Sequence, residues 1–542
     1  MKKFLLFLVL ISSSIISSAQ LQRPKLVVGI VVDQMRWDYL YRYYNKYSEG
    51  GFKRMLGEGF TCGNTLINYL PSYTGVGHAT VFTGSVPSIH GIAGNDWRNQ
   101  ATGKNMYCTD DSTVSSVGNI SKAGKMSPRN LMVTTITDEL RLATNFKSKV
   151  VGVSLKDRAS ILPAGHNPTG AYWMDDASGN FITSTWYMQQ LPSWVSKFNG
   201  EGHIEKLISK GWQTLLKQED YTESTEDNVP WEGKLSGATT PAFPFDLNLA
   251  YSKNKSAIRS MPFGNTLTLD FAKAAIAGES LGKGSSTDFL TINCASTDYV
   301  GHMTGVNSIE VEDTYLRLDR DLASFFSYLD KNVGKGNYMV FLTADHGAAH
   351  AIGFMEKNKM PAGYEPELKK GLNEELKKYF TAGDGLVLGL DNDQVNFDNQ
   401  QIEKLGLNKD ELKKAAIKFI AKQPGVLYVV DASNPASMAV PTQIKDMIVN
   451  GYNRERSGEI KIIWQSGFLG AYNKTGTTHG SWNNYDTQIP LVFMGWKIPH
   501  GETNQTVQMT DISATLAALL HIQMPSGCIG NPITAITDKV NK

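Results

Sequence analysis

Six residues of types that bind divalent metal ions occur at separated points of the chain. They are Asp33, Asp298, His302, Asp345, His346 and His479. The set joins carboxylate oxygens to imidazole nitrogens without a thiolate, which favours zinc over copper(I) or an iron–sulfur cluster. Magnesium and calcium sites normally use fewer imidazoles. Three aspartates and three histidines are enough to hold two ions with three protein ligands each.

Spacing strengthens part of this set. Asp298 and His302 stand four residues apart, so one helical turn would direct both side chains at one ion. His479 lies in the segment 476–480, whose glycines permit close approach of the backbone. Taken singly, an aspartate after a strand is more often a helix cap, and a lone histidine is more often a hydrogen-bonded structural residue. The prediction therefore depends on the set and not on any one member.

A threonine in the segment 71–78 is a candidate nucleophile. Gly75 and Gly77 follow Thr74 and predict a tight turn into a helix that begins near this hydroxyl. The helix dipole and a bound zinc ion would both lower the pKa of the hydroxyl, which makes an alkoxide available for attack. The spacing fits equally well with Thr74 as a plain helix N-cap, and Ser72 is the rival nucleophile.

Two cations, Lys156 and Arg158, stand two residues apart. If a strand continues through them, both side chains share one face and Asp157 points the other way. Arginine grips two phosphoryl oxygens at once, whereas lysine acts as a point charge. In isolation the pair also fits two surface cations.

Short apolar runs, rich in β-branched residues, must position these groups. They span residues 25–32, 149–154, 289–294, 338–343 and 489–494. Each run is apolar almost throughout, which is typical of strands buried on both faces of a mostly parallel sheet. Apolar residues at steps of three and four predict a helix over 311–329. Strands that alternate with helices predict an α/β fold with a mostly parallel central sheet flanked by helices.

The ends of four predicted strands carry the chemistry. Asp33 follows the first run, and Lys156 and Arg158 follow the second. Asp298 follows the third run and Asp345 the fourth. Ligands of open α/β sheets bind beyond the carboxyl ends of the strands, so these side chains are predicted to converge there.

Two regions depart from this alternation. Residues 170–265 are rich in Trp, Tyr, Ser, Asn and Pro and predict a loop-rich insertion. Residues 353–465 contain two Lys/Glu-rich helical patterns and two short strands, and predict an α+β insertion. We interpret residues 20–542 as one catalytic domain with these two insertions.

The N-terminus has the pattern of a secretory signal peptide. Two lysines precede an apolar run over 4–16, and the small residues 17–19 predict cleavage after Ala19. The apolar run is too short to span a membrane, and no cysteine follows the cleavage point to carry a lipid anchor. We expect an exported protein without a membrane anchor, in the periplasm or secreted.

Charge and cysteine content restrict the remaining classes of function. The formal net charge is +1, with 53 basic and 52 acidic residues, which argues against a nucleic-acid or membrane-surface binder. Four widely spaced cysteines exclude a paired metal-binding motif and leave the disulfide pairing open. Cys294 lies inside an apolar run and is predicted to be a buried thiol. The oligomeric state is open, with a monomer favoured.

The segment 71–95 resembles the nucleophile segment of the alkaline-phosphatase superfamily. It contains Pro71-Ser-x-Thr74-x-x-x-His78, Thr83-Gly84, Pro87 and His90-Gly91-Ile92-x-x-Asn95. Later motifs follow in the order of the family: Asp298-x-x-x-His302, Asp345-His346-Gly347 and Thr478-His479-Gly480. The resemblance covers nearly all of the predicted mature chain. Asn95 together with Lys156-Asp-Arg158 is similar to the PafA-type bacterial alkaline phosphatases, which use a threonine nucleophile.

The resemblance implies a fold, a reaction and a role for each site residue. Asp298, His302 and His479 would hold one zinc ion, and Asp33, Asp345 and His346 a second, with Thr74 as a further ligand. Asn95, Lys156 and Arg158 would contact non-bridging phosphoryl oxygens. His78 and His90 would make structural hydrogen bonds. The implied reaction is hydrolysis of small phosphate monoesters by two displacements, through a phosphothreonine.

Two other functions fit part of the pattern. A phosphodiesterase or nucleotide pyrophosphatase of the same superfamily would use the same metal ligands. A monoester dianion carries one more charged oxygen than a diester, so Lys156 and Arg158 favour a monoesterase. A non-catalytic periplasmic protein that binds zinc or phosphate would keep the ligands but would not need the nucleophile.

Overall fold

A computed structural model describes residues 22–380, 385–470 and 474–540. The predicted signal peptide, residues 1–19, lies outside the described residues. The strands, β1 to β21 in chain order, are Leu26–Val32, Phe60–Cys62, Thr65–Leu66, Asp96–Arg98, Asn105–Tyr107, Ser116–Val117, Val150–Ser154, Gly170–Met174, Phe181–Ser184, Asp288–Cys294, Tyr338–Thr343, Gly363–Tyr364, Val387–Gly389, Gln394–Phe397, Val426–Asp431, Ile460–Trp464, Phe468–Leu469, Gln488–Ile489, Leu491–Gly495, Gly501–Thr503 and Val507–Gln508.

Helices connect and cover these strands. The α-helices, α1 to α20, are Tyr39–Arg42, Phe52–Glu58, Thr74–Thr83, Pro87–His90, Ile136–Ala143, Asp157–Ala164, Ser193–Gly200, His203–Ile208, Leu247–Lys253, Phe263–Glu279, Ser296–Thr304, Ile309–Leu329, Ile352–Lys357, Lys369–Tyr379, Asn399–Lys404, Lys409–Ile420, Thr442–Gly451, Asn484–Thr487, Asp511–Leu520 and Thr534–Val540. No helix in the described part of the chain is long and apolar enough to cross a membrane.

The central sheet contains ten of the described strands. Their order is β20-β2-β19-β11-β1-β10-β7-β8-β9-β6. The five neighbours from β11 to β8 all run parallel, and the edges add antiparallel pairs such as β11 with β19. Every residue of β1, β7, β10 and β11 is buried. These strands are therefore covered on both faces, and the predicted mostly parallel α/β fold is confirmed.

A second sheet of four described strands forms beside the central one. It has the order β13-β14-β16-β15 and shares an apolar cluster with helices α14 and α16. This part of the chain falls within the predicted α+β insertion over 353–465.

The segment 170–265 differs from the predicted loop-rich insertion at its beginning. Residues 170–174 and 181–184 are β8 and β9, which extend the central sheet. Both strands are fully buried, and the rings of Tyr172 and Phe181 each pack against Phe271 of helix α10. The aromatic side chains of this part of the segment therefore belong to a buried sheet and not to a loop.

Candidate active site

The parallel register of the central strands brings the predicted ligands together. Strands β11, β1, β10 and β7 are neighbours in that order, and Val32 of β1 lies opposite Cys294 of β10. Asp33 directly follows β1, and Asp345 follows β11 by two residues. Helix α11 begins two residues after β10 and carries Asp298. The carboxyl edge of the sheet therefore gathers three aspartates from segments far apart in sequence.

Asp298, His302 and His479 form the first group of candidate metal ligands. One potential ligand atom of each lies within 4.8 Å of the others. Asp298 and His302 lie one turn apart on α11, with Oδ1 of Asp298 3.0 Å from Nε2 of His302. His479 comes from a loop that meets this helix closely. A Cβ on Gly476 would lie 1.8 Å from the carbonyl oxygen of His302, so the turn requires glycine.

Asp33, Asp345 and His346 form the second group, and all three are fully buried. Oδ1 of Asp33 and Oδ2 of Asp345 have no hydrogen-bond donor. Nε2 of His346 lies 3.7 Å from the first of these oxygens and 3.3 Å from the second. Buried carboxylate oxygens without a donor are costly unless a cation neutralises them. The residues present therefore fit a divalent metal ion.

Backbone carbonyls fix the tautomers of the three histidines. Nδ1 of His302 donates to the carbonyl of Thr477 (2.8 Å), and Nδ1 of His479 donates to that of Ser72 (2.8 Å). Nδ1 of His346 donates to the carbonyl of Gly347 (3.0 Å). A carbonyl only accepts, so each Nδ1 carries a proton, and the Nε2 atoms of His346 and His479 present lone pairs. Nε2 of His302 lies 3.0 Å from Asp298, which raises the pKa of this imidazole, so a metal ion would have to displace a proton there. Histidines that bind metal ions in proteins are typically held in this way, by an acceptor on the ring nitrogen that does not bind the metal.

The two groups lie side by side. The rings of His346 and His479 stack with centroids 3.4 Å apart and an angle of 13°. Burial lowers the pKa of His346 to about 4, and burial and then the neighbouring histidines lower that of His479 well below its ordinary value. Both imidazoles are therefore neutral near pH 7. Burial and then the charge of Asp33 raise the pKa of Asp345, a rise that a nearby cation would reverse.

Thr74 lies beside His346 of the second group and beside Lys156. It is the first residue of helix α3, whose N-cap is Tyr73, so Thr74 is not the N-cap. Its Oγ1 lies 3.4 Å from Nε2 of His346 and 3.5 Å from Nζ of Lys156. The rival hydroxyl of Ser72 donates instead to the carbonyl of Ser481 (3.1 Å). The predicted helix start at Thr74 is confirmed.

Lys156 forms ion pairs with both groups of ligands. Its buried Nζ lies 2.9 Å from Oδ2 of Asp33 and 2.6 Å from Oδ2 of Asp298. Burial alone would lower the pKa of this lysine, but the two carboxylates outweigh it and the net shift is upward. Lys156 is therefore charged across the physiological range.

Lys156 and Arg158 do not share a strand face, because the strand does not continue through them as that prediction required. Strand β7 ends at Ser154, whose Oγ accepts a hydrogen bond from the amide of Lys156 (2.8 Å). Helix α6 then begins at Asp157. Arg158 donates from Nη1 to the hydroxyl of Tyr107 (3.0 Å), and that hydroxyl donates to Asp157.

Asn95 lines the cavity beside the first ligand group. Its Oδ1 accepts a hydrogen bond from the amide of Gly75 (2.8 Å) at the start of α3. That contact fixes the side chain and leaves the NH₂ group as a donor. The cavity measures about 640 Å³, and His302, His479, Tyr73 and Trp482 also line it.

The remaining motif histidines make hydrogen bonds within the scaffold. Nδ1 of His78 donates to the carbonyl of Thr74 (2.9 Å), one helical turn earlier. Nδ1 of His90 accepts from the amide of Ile92 (3.1 Å), and its Nε2 contacts the hydroxyl of Thr80 (3.2 Å). Neither belongs to the two ligand groups above.

Two residues outside the predicted set hold the candidate ligands in place. Gln34 bridges the two groups. Its backbone N–H donates to Oδ1 of Asp345 (3.1 Å), and Nε2 of its side chain donates to Oδ1 of Asp298 (2.8 Å). Asn293 donates from Nδ2 to Oδ2 of Asp33 (3.1 Å). Gln34 directly follows Asp33 and Asn293 interrupts an apolar run, and both features are visible in the sequence.

Comparison with known proteins places the chain among phosphoester hydrolases. The family model described as type I phosphodiesterase / nucleotide pyrophosphatase matches residues 27–487. The chain is 58% identical over 517 residues to alkaline phosphatase PafA of Elizabethkingia meningoseptica, which covers 95% of this chain and 94% of that protein. It is 51% identical over 521 residues to alkaline phosphatase PhoV of Synechococcus elongatus, covering 94% and 92%. The crystal structure of wild-type PafA at 1.7 Å resolution matches with a TM-score of 0.94 and 57% identity, covering 95% of this chain and 99% of that one.

Proposed function

The chain belongs to the type I phosphodiesterase / nucleotide pyrophosphatase family, and within it we propose an exported alkaline phosphatase that uses Thr74 as nucleophile. Identities of 58% and 51% to two alkaline phosphatases, over nearly the whole chain, make it a phosphate-monoester hydrolase. The metal, the covalent intermediate and the roles of individual residues are our proposal.

One observation carries the assignment of the nucleophile. The Thr74 hydroxyl lies within 3.5 Å of both a histidine of the second ligand group and the ammonium of Lys156. It also stands at the N-terminus of a ten-residue helix, where the helix dipole favours a negative oxygen. These surroundings stabilise the alkoxide form of Thr74.

Two zinc ions fit the donor set. Asp298, His302 and His479 would hold one, and Asp33, Asp345, His346 and Thr74 the other. Zinc, when bound, supplies Lewis-acid stabilisation of charge on the attacking and leaving oxygens. Three imidazoles that each hold a proton on Nδ1, together with carboxylates and no thiolate in either group, favour zinc over softer or harder metals.

The proposed reaction has two displacements. In the first, Oγ1 of Thr74 bonds to phosphorus, the phosphorus–oxygen bond to the alcohol breaks, and a phosphothreonine forms. In the second, water attacks phosphorus, inorganic phosphate leaves, and the threonine hydroxyl is restored. Lys156, Arg158 and the Asn95 amide stabilise the charge on the non-bridging oxygens.

Lys156 and Arg158 support a preference for monoesters. Nζ of Lys156 lies 3.5 Å from the Thr74 hydroxyl, and Arg158 is held by the hydroxyl of Tyr107. A dianionic phosphoryl group uses such charge better than a diester does. The alternative within the family is a phosphodiesterase. Rates measured on a monoester and on the diester with the same leaving group distinguish the two, and equal or faster diester turnover would refute our assignment.

Trapping of the intermediate tests the nucleophile. The enzyme is mixed with a ³²P-labelled monoester, quenched in acid and digested, and the labelled peptide should contain Thr74. Thr74→Ala should abolish labelling and reduce turnover by several orders of magnitude. Ser72→Ala is the matched control, because it removes the neighbouring hydroxyl and keeps the backbone carbonyl that receives His479. Labelling that persists in Thr74→Ala would overturn the proposal.

Export and domain organisation complete the proposal. The N-terminal sequence supports cleavage after Ala19 and a single catalytic domain over 20–542. Mass spectrometry of the protein expressed from its full gene measures the mature N-terminus. A chain that retains residues 1–19 and stays in the cytoplasm would contradict this part.

A further inference from the structure

A third cluster of acidic side chains lies apart from the two ligand groups. It consists of Asp227, Glu232 and Glu310, and one carboxylate oxygen of each lies within 4.8 Å of the others. Glu310 is fully buried, and Glu232 is 4% exposed. The three residues come from an irregular loop and from the first turn of helix α12 (Ile309–Leu329).

The cluster contains four carboxylate oxygens without a hydrogen-bond donor. Both oxygens of Glu310 are buried and unpaired, as are Oδ1 of Asp227 and Oε1 of Glu232. The Ser308 hydroxyl and the amide of Glu310 lie nearby and partly offset the electrostatic penalty, but neither reaches hydrogen-bond geometry with these oxygens. A buried carboxylate with both oxygens unpaired indicates a ligand that bonds to it.

The second oxygens of the other two residues are held by neutral donors. Oε2 of Glu232 accepts from the amide of Val229 (3.1 Å). Oδ2 of Asp227 accepts from Nε2 of Gln218 (2.9 Å) and from the amide of Phe243 (3.2 Å). These contacts hold one oxygen of each carboxylate, and one oxygen of each lies within 4.8 Å of a carboxylate oxygen of Glu310.

Repulsion within the cluster is strong. Burial, and then the charge of Glu232, raise the pKa of Glu310 well above its ordinary value. The charge of Asp227 adds to the same effect on both glutamates. The two charged side chains that raise the pKa of Glu310, Glu232 and Asp227, are both acidic. A cation at the centre of the cluster would convert this repulsion into attraction.

We propose that Asp227, Glu232 and Glu310 form a third metal site, which binds a hard divalent cation, calcium in preference to zinc. The donors are all carboxylate oxygens, and the site has no imidazole or thiolate, which is the ligand chemistry of calcium and magnesium. Two of the three ligands come from an irregular loop, which suits the flexible coordination of calcium better than the strict octahedron of magnesium.

The site joins the loop to the segments that carry the zinc ligands. The amide of Gly233 donates to the carbonyl of Met303 (2.7 Å), next to His302. Gly476 lies three residues before His479, and its backbone N–H donates to the carbonyl of Trp231 (2.6 Å). A cation held between Glu232 and Glu310 therefore stabilises the loop against helices α11 and α12. Its role is structural, and it does not depend on the proposed reaction.

Metal analysis of the folded protein is the first test. The wild-type chain, Glu310→Gln and Asp227→Asn are each dialysed against buffer with fixed zinc and added calcium. Wild type should retain one calcium per chain beyond its zinc, and both variants should bind calcium at least about tenfold more weakly with zinc unchanged. Glu226→Gln is the matched control, because this exposed neighbour lies outside the cluster. Its calcium content should equal that of wild type.

Thermal unfolding at fixed zinc is the second test. The direction of the change in melting temperature on adding calcium distinguishes a bound cation from the alternative, in which the carboxylates share a proton. Calcium should raise the melting temperature of wild type and Glu226→Gln by about 2 °C or more, and should leave Glu310→Gln unchanged. Without calcium, Glu310→Gln should be as stable as wild type or more stable, because one unpaired carboxylate has been removed. A wild-type protein that holds no calcium and gains no stability from it would overturn the proposal. A response to magnesium alone would overturn the assignment to calcium.

Discussion

Nζ of Lys156 lies 2.6 Å from Oδ2 of Asp298 and also contacts Asp33, so one buried ammonium joins the two groups of candidate metal ligands. A lysine in this position opposes the mutual repulsion of carboxylates that come from different strand ends. It also has its charge within 3.5 Å of the Thr74 hydroxyl. The same side chain therefore serves the stability of the site and the charge that the proposed reaction requires.

Lys156→Met is expected to destabilise the metal-free protein more than the zinc-loaded protein. Without metal, two buried carboxylates lose their counterion, and breaking such a pair costs about 3–5 kcal/mol. With zinc bound, the metal charge compensates for most of that loss. Urea unfolding of chelator-treated and zinc-loaded samples measures both costs. Lys147→Met, at an exposed lysine, should change neither, and equal losses in the two states of Lys156→Met would contradict this account.

Arg158→Ala is expected to reduce monoester turnover by about a hundredfold and diester turnover much less. In the proposed mechanism the guanidinium binds the extra charged oxygen that only a monoester carries. Tyr107→Phe keeps the arginine but removes the hydroxyl that holds it. Its monoester turnover should therefore fall less than that of Arg158→Ala, and again more than its diester turnover. Steady-state rates on a matched monoester and diester test both variants. Equal losses on the two substrates for Arg158→Ala would refute its proposed role.

The sequence was most informative where burial on both faces leaves an unbroken apolar run. The predicted strand over 338–343 coincides with β11, and the predicted helix over 311–329 is α12 without its first two residues. Ser308 caps that helix by accepting from the amide of Val311 (3.1 Å), a signal that apolar periodicity does not contain. Cys294 is a buried free thiol in β10, as predicted.

Contacts distant in sequence could not be predicted from local patterns. The turn at Ser154 separates Lys156 from the strand, and only the folded chain directs Lys156 and Arg158 to different partners. Glu310 and Glu232 are nearly eighty residues apart and belong to no spaced motif, so their cluster has no local signature. The two groups of candidate metal ligands were predictable as a set because each member follows a strand or lies in a family motif.

Gly77→Ala is expected to destabilise the protein by about 1–3 kcal/mol and to weaken zinc retention. A Cβ at this position would lie 2.5 Å from the carbonyl oxygen of Asp345 and 2.7 Å from its Cβ, so helix α3 or Asp345 must shift. Gly57→Ala is the matched control, because this glycine is also helical and a Cβ there meets nothing within 4 Å. The control should gain about 0.5–1 kcal/mol. Chemical unfolding and zinc content measure both effects, and a stable, zinc-replete Gly77→Ala would show that the close approach is not required.

His166 and Asp138 are expected to give the protein a stability contribution that depends on pH. Nδ1 of His166 donates to Oδ2 of Asp138 (2.9 Å) and Nε2 donates to the carbonyl of Leu131 (3.0 Å). Both partners only accept, so both ring nitrogens carry protons and the imidazolium is the bound form. Burial opposes the charge, but Asp138 outweighs it and the pKa of His166 is raised. Burial likewise opposes the carboxylate, but the hydrogen bond from His166 prevails and the pKa of Asp138 is lowered.

The sign of each shift defines the pH window. The raised pKa of His166 contributes stability that is complete below about pH 6.5 and is lost as the pH rises through the folded-state pKa. The lowered pKa of Asp138 contributes stability that is complete above about pH 4 and is lost as the pH falls through its folded-state pKa. A double-mutant cycle with His166→Gln and Asp138→Asn, measured by urea unfolding, isolates the pair from other titrating groups. Its coupling energy should be largest between about pH 4 and 6.5 and smaller by about pH 9. A coupling energy that stays constant from about pH 5 to 9 would show that His166 is neutral in the folded protein.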